Sequence, residues 1–175
     1  MKELSLFSIC IFAAFINSSS NAALDRVGDF ALLDYDGEFH QLSRYRHRQG
    51  LVVMAYDENC AGMTNYVDEY QLLANEFTQQ GLDFVFLDSM GLGRDAFANS
   101  DLGLPVLEDE GQLVSESLGI QSAGDVRVLN PERLSIYYRG SVYTQLRETL
   151  QGVLNGSVSD TVSTPIESLS HFLSL

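Results

Sequence analysis

Leu51-Val52-Val53-Met54-Ala55-Tyr56 runs straight into Asp57-Glu58-Asn59-Cys60-Ala61-Gly62-Met63-Thr64, and this stretch decides the fold. Six consecutive apolar residues, rich in β-branched side chains, describe a central strand covered on both faces. The polar, glycine-containing segment that follows is a turn. Beyond it Tyr66, Tyr70, Leu72, Leu73 and Phe77 recur at helical spacing until Gln79-Gln80-Gly81 closes the element. Leu82-Asp83-Phe84-Val85-Phe86-Leu87 then repeats the buried-strand pattern. Strand, helix, strand is the seed of a parallel sheet, and Cys60 stands at the turn that leaves its first strand.

Upstream, Phe30-Ala31-Leu32-Leu33 is a short strand, Asp34-Tyr35-Asp36-Gly37 a turn, and Phe39, Leu42 and Tyr45 resume the apolar pattern. Two strands around Asp-Gly predict a hairpin. Arg44 to Arg48 forms a small basic patch, and Gln49-Gly50 breaks the pattern. Downstream, Asp88 to Asn99 reads as a loop with a short helix. Leu104-Pro105-Val106-Leu107 is a short strand, and Leu113 to Leu118 a short helix ended by Gly119. Val126 to Leu129 and Leu134 to Tyr138 flank the turn Asn130-Pro131-Glu132-Arg133, which predicts a second hairpin. A last helix is predicted from about Tyr143 to Leu154. This order implies an α/β protein with a mixed central sheet, helices on both faces and an N-terminal β-hairpin extension. That is the order of a thioredoxin fold.

The ends of the chain differ from its middle. Lys2 precedes an apolar run from Leu4 to Ile16, and Ser20 and Ala22 suit a peptidase cut before Ala23. Residues 1–22 therefore read as a secretory signal peptide, with Cys10 removed alongside it, or alternatively as an uncleaved anchor. Residues 23–155 form one domain, and residues 156–175 a Ser/Thr-rich tail. The mature chain is expected outside the cytoplasm, periplasmic or extracellular, with no transmembrane segment. Net charge is −14, and Lys2 is the sole lysine, so the field disfavours nucleic acid as a partner. Once Cys10 is gone, Cys60 has no partner for an intramolecular disulfide. It is buried and inert, a free reactive thiol, or half of an intermolecular bridge.

Five ordered stretches carry a resemblance. They are Val27-Gly28-Asp29-Phe30 with Leu33-Asp34, then Asp36-Gly37, the strand ending at Asn59-Cys60, Leu104-Pro105-Val106-Leu107-Glu108-Asp109, and Leu118-Gly119-Ile120 leading to Val128-Leu129-Asn130-Pro131. Tyr138-Arg139-Gly140 is a further match. Together, over about Val27 to Leu154, the chain resembles the redoxins of the alkyl hydroperoxide reductase and thiol-specific antioxidant superfamily, which includes the peroxiredoxins. The resemblance implies a thiol-redox protein with Cys60 as nucleophile. Asn59, Thr64, Ala123, Gly124 and Arg139 are its expected substrate or partner contacts, and an external thiol, a protein disulfide or peroxide its expected partner. A thiol near a helix start is favoured as thiolate by backbone N–H groups, while Asp57 and Glu58 oppose it by like charge.

Several positions depart from the family pattern. Met63 replaces the second thiol of Cys-x-x-Cys. Val53 and Asp57 stand where peroxiredoxins place a proline and a hydroxyl residue. Ala61 follows the cysteine in place of proline, and the loop Ala123-Gly124-Asp125 lacks the family's cis-proline. The arginine that peroxiredoxins hold beside the thiolate has no counterpart in that loop, and Arg127 and Arg139 are the nearest substitutes. An alternative reading is a redox-inactive binding or accessory domain that kept the fold and lost the chemistry. A third is a metal-linked role in respiratory or copper-enzyme maturation. No cofactor and no metal are expected, since Thr64 replaces the second thiol of the copper-binding pattern and His40, His47 and His171 show no ligand spacing. Gly91-Leu92-Gly93 lacks the context of a phosphate loop, and no nucleophile elbow marks a serine hydrolase.

Overall fold

The computed structural model describes residues 25–93, 97 and 102–158. The predicted signal peptide, His171 and nearly all of the predicted tail lie outside the described residues, as does most of the stretch between Gly93 and Leu102. Strands β1 (Ala31–Leu33) and β2 (Phe39–Gln41) pair antiparallel as the expected hairpin. A 3-10 helix follows over Leu42–His47. Strand β3 (Gly50–Tyr56), helix α1 (Met63–Phe77) and β4 (Leu82–Asp88) form the strand-helix-strand unit. Then come β5 (Val106–Glu108), the short helix α2 (Leu113–Ser117), the hairpin β6 (Asp125–Asn130) and β7 (Ser135–Ser141), and helix α3 (Leu146–Leu154).

The central sheet has the order β5-β4-β3-β6-β7. β3 runs parallel to β4 and antiparallel to β6, so the sheet is mixed, as the element order implied. Every residue of β3 is buried, which is what its unbroken apolar run requires. Alternate side chains go to opposite faces. Val52, Met54, Phe84, Phe86, Val126 and Val128 pack against α1 and α3. Leu51, Val53, Val85, Leu87 and Leu129 pack with Leu42, Val114 and Leu118 on the other face. Tyr70 of α1 is fully buried, and its hydroxyl lies 2.8 Å from the Val52 carbonyl and 3.0 Å from that of Val85. It thereby joins the helix to the two central strands.

Some details differ from the sequence reading, β7 for instance running on to Ser141. Leu72, counted in the helical stripe, is 60% exposed and faces solvent. The apolar pattern after β2 is a 3-10 helix and not a longer strand, with Leu42 wholly buried. α3 starts at Leu146 instead of Tyr143, because the Thr144 hydroxyl donates to the Ser141 carbonyl at 3.0 Å and holds a turn there. The hairpin is tied to the sheet through the bridge between Asp34 and Leu107 and through Tyr35 N–H to the Val106 carbonyl, 3.2 Å. No described helix is long and apolar enough to cross a membrane.

Candidate functional site

Cys60 is half-buried at the carboxyl end of β3 and packs on the fringe of the α1-side core. The turn that holds it is built locally. Asp57 Oδ1 accepts the Asn59 N–H at 2.9 Å, and the Asp57 carbonyl accepts the Cys60 N–H at 3.1 Å. The Cys60 carbonyl in turn accepts the Met63 N–H, also 3.1 Å. Gly62 takes the left-handed conformation, φ 84°, that lets the chain enter α1. Cys60 therefore precedes the first helical residue by a full turn of chain. The Asn65 N–H donates to Gly62, 3.0 Å, so this first-turn donor, like that of Met63, is engaged locally and not aimed at the thiol. The Cys60 thiol donates to the Ala61 carbonyl at 3.8 Å.

Asn59 and Thr64 are exposed on either side of the thiol. Ala123 and Gly124 lie in the loop before β6, where the Gly124 N–H donates to the Ala55 carbonyl of β3 at 2.8 Å. Proline has no N–H, so this tie between the loop and β3 needs a residue other than proline at 124. Gly124 has φ +85°, and a Cβ there would lie 2.8 Å from the Tyr66 ring. Tyr66 thus covers the loop from α1. Sequence reasoning missed this tyrosine, because its helical spacing marked it only as core. Its half-burial and contact with a positive-φ glycine appear only in the folded chain.

Arg139 and Arg127 do not join the thiol. They stand opposite each other on β7 and β6, on the face that also carries Val53 and Leu129. Arg127 is 1% exposed and donates to the carbonyls of Leu118 (2.9 Å), Val126 (2.9 Å) and Gly119. Arg139 pairs with Asp25 at 2.8 Å and also donates to the Leu118 carbonyl. Both arginines close the carboxyl end of α2, on the other side of the sheet from Cys60.

The family profile described as AhpC/TSA matches residues 23–143. The chain belongs to the AhpC/TSA family. Among solved structures it is similar to the peroxidoxin BcpB of Mycobacterium tuberculosis, with 20% identity over 77% of this chain and 97% of that one, TM-score 0.59. It is also similar to a putative thiol:disulfide interchange protein DsbE of Chlorobium tepidum, at 14% identity over 74% and 96%, TM-score 0.63. A third is the exposed lipoprotein thioredoxin Etrx1 of Streptococcus pneumoniae, at 17% identity over 74% and 99%, TM-score 0.57. No curated protein matches the chain. At such identities the structural likeness establishes a thioredoxin-like redoxin fold. As an AhpC/TSA member the protein falls among families that work through thiols and peroxides.

The remaining polar clusters are structural. His40 bridges the buried Asp34 carboxylate (2.9 Å) and the Tyr45 hydroxyl (2.5 Å) beneath the hairpin. Burial, with Asp83 and Asp34 nearby, pushes the Tyr45 phenol up to about 12. Tyr35 donates to the buried Asp88 carboxylate at 2.6 Å, which also accepts the Gly93 N–H at 3.1 Å. His47 lies against its own 3-10 helix, with Nδ1 3.0 Å from the Arg44 carbonyl. Among the described residues no group of three or more His, Cys, Asp or Glu side chains is arranged to hold a metal ion.

Proposed function

We propose that this protein is an exported thiol-redox protein that uses Cys60 as a lone nucleophile toward peroxide or a mixed disulfide, with an external thiol resolving it. One observation carries the reading: a half-buried thiol sits in the turn that leaves the central strand at its carboxyl end. Open α/β sheets keep their reactive groups at the carboxyl ends of strands, and membership of the AhpC/TSA family agrees. Asn59, Thr64, Ala123 and Gly124 surround the thiol in this reading. Arg139 is left out, because it is spent on Asp25 and Leu118.

The chemistry balances with one protein thiol. The Cys60 thiolate attacks one peroxide oxygen and the O–O bond breaks. The other oxygen leaves as an alkoxide or hydroxide that takes up a proton, and Cys60 becomes a sulfenic acid. An external thiol attacks that sulfur, expelling water and leaving a mixed disulfide. A second external thiol attacks the outer sulfur, and Cys60 departs as thiolate. Starting instead from a partner disulfide, Cys60 enters at the mixed-disulfide stage. Met63, 4% exposed in the position of a second thiol, offers no internal alternative.

Three features favour slow peroxide chemistry. Asp57 occupies the position of the peroxide-binding hydroxyl and spends its carboxylate on the turn. No arginine faces the thiol from the 122–125 loop. That loop is tied by an N–H instead of being locked by a proline. The full chain carrying Cys10→Ser, so that Cys60 is its sole thiol, is expected to react with iodoacetamide while folded at a rate within about tenfold of free cysteine. It is also expected to trap dimedone after hydroperoxide treatment. A folded protein whose Cys60 resists both reagents would overturn the nucleophile and leave the accessory-domain reading. Export predicts an N-terminus at Ala23 in protein recovered outside the cytoplasm, and an intact Met1 terminus there would contradict cleavage.

A further inference from the structure

Peroxide leaves a lone thiol as a sulfenic acid, and more peroxide drives that acid on to the sulfinic and sulfonic acids, from which thiols do not return it. Met63 stands where a second thiol would intercept the sulfenic acid, and Cys60 is the only cysteine among the described residues. The turn itself offers another nucleophile. The N–H groups of Asn59, Cys60 and Met63 are all bonded, to Asp57 Oδ1, the Asp57 carbonyl and the Cys60 carbonyl. The N–H of Ala61, directly after the thiol, has no partner among the described residues, and Ala61 is exposed.

The thiol is turned toward that nitrogen. Its sulfur lies 3.8 Å from the Ala61 carbonyl oxygen, which folds the side chain over the peptide that joins the two residues. A bond from the sulfur to the Ala61 nitrogen closes a small ring of Sγ, Cβ, Cα and the carbonyl carbon of Cys60 with that nitrogen. The hydrogen it removes serves no hydrogen bond within the described chain. The turn also has room to adjust. Gly62, at φ +84°, has nothing within 4 Å of the place a Cβ would take.

We propose that the Ala61 nitrogen resolves oxidised Cys60 when no external thiol is at hand, closing a cyclic sulfenamide that guards the sulfur against further oxidation. The inference rests on the reading of Cys60 as a nucleophile and adds a regulation of that site. The Ala61 nitrogen attacks the sulfenic sulfur, the S–N bond forms and the S–O bond breaks. The departing hydroxide takes the amide proton and leaves as water, and the sulfur keeps its oxidation state. An external thiol later attacks the same sulfur. The S–N bond breaks, the amide nitrogen regains a proton, and the mixed disulfide of the ordinary cycle results. Proline at this position would carry no hydrogen on its nitrogen and would forbid the step.

Intact-mass measurement on the full chain carrying Cys10→Ser tests the ring. Folded protein treated with hydrogen peroxide in the absence of thiols is expected to give a monomer lighter by two hydrogens. The change should be confined to the peptide that holds Cys60 and Ala61, and dithiothreitol should return it to the reduced mass. Ala61→Gly keeps the N–H and should give the same species. Ala61→Pro should give none of it, and under excess peroxide it should lose recoverable thiol several-fold faster. The result on the parent chain stands whether or not the proline variant folds. Conversion of Cys60 to sulfinic acid with no lighter monomer would overturn the ring and leave the nucleophile standing. So would a lighter monomer that forms equally in Ala61→Pro. If neither peroxide nor iodoacetamide modifies Cys60 in the folded chain, the nucleophile reading falls and the ring falls with it.

Discussion

Arg127 and Cys60 stand near the same end of the central sheet on opposite faces, and their surroundings differ in kind. The guanidinium is 1% exposed and bonded to three backbone carbonyls, with the Asp125 carboxylate 3.3 Å away. The thiol is half-buried, has one acceptor at 3.8 Å, and is carried by a turn of local hydrogen bonds. One polar group is locked into the framework, while the other is left able to react or to be covered. A polar residue type common in redoxin sites, arginine, has here been absorbed into structure. The cysteine has not.

Replacing Arg127 by Met tests the locked side and carries the largest expected effect. It strips the Arg127 bond from the Gly119 carbonyl and leaves the Leu118 carbonyl with Arg139 alone, and should cost about 3–5 kcal/mol in urea unfolding. The alkylation rate of Cys60 in whatever remains folded should not change. A slower thiol with stability intact would mean that the two faces are coupled and the contrast is false.

Gly124→Ala probes the open side. Its φ of +85° and the 2.8 Å approach to Tyr66 should together cost about 2 kcal/mol. In a Tyr66→Leu background the loss should shrink, as a double-mutant cycle would measure. Additive losses would show that the ring does not pack on the loop.

A smaller effect belongs to Asp34, under the hairpin. Desolvation acts to raise its carboxyl, but hydrogen bonds from His40 and the Glu38 N–H outweigh it, and the group ends below its ordinary 3.8. A carboxyl lowered on folding contributes stability above that ordinary value and loses the contribution as pH falls toward the folded value. Asp34→Asn should therefore be less stable than wild type by about 1 kcal/mol near neutrality, with the gap closing in urea melts near pH 3. A gap that holds at low pH would remove the charge from the account.

Asp57→Asn sharpens the thiol's side with the smallest change. The amide oxygen can still accept the Asn59 N–H, so the turn survives and only the negative charge is lost. Alkylation of Cys60 at neutral pH and low salt should quicken about twofold, and the gain should fade with added salt. No change at low salt would mean that the carboxylate does not act at the thiol.

Much of this architecture is legible in the chain. The unbroken run Leu51–Tyr56 can only be satisfied by cover on both faces, and β3 has that cover. The Asp-Gly and Asn-Pro turns name their hairpins because their backbone needs are local. The site is legible only in part. Cys60, Ala123 and Gly124 can be matched to a family pattern, but Tyr66 gives no signal beyond helical spacing. Arg139 carries the same ambiguity, since a lone arginine on a strand reads alike whether it faces a thiol or a helix end.

By itself the sequence determined the order of elements, the two-sided burial of β3 and the place of Cys60 at its end. These follow from side-chain period, turn chemistry and residue count, all of which act over a few residues. The tertiary structure alone decided which face each arginine serves, which ring covers Gly124, and that α1 begins past the thiol with two of its first donors already engaged. Those outcomes depend on strand register and on hydrogen bonds between segments far apart in the chain. A one-residue change in register would move every side chain of a strand to the other face.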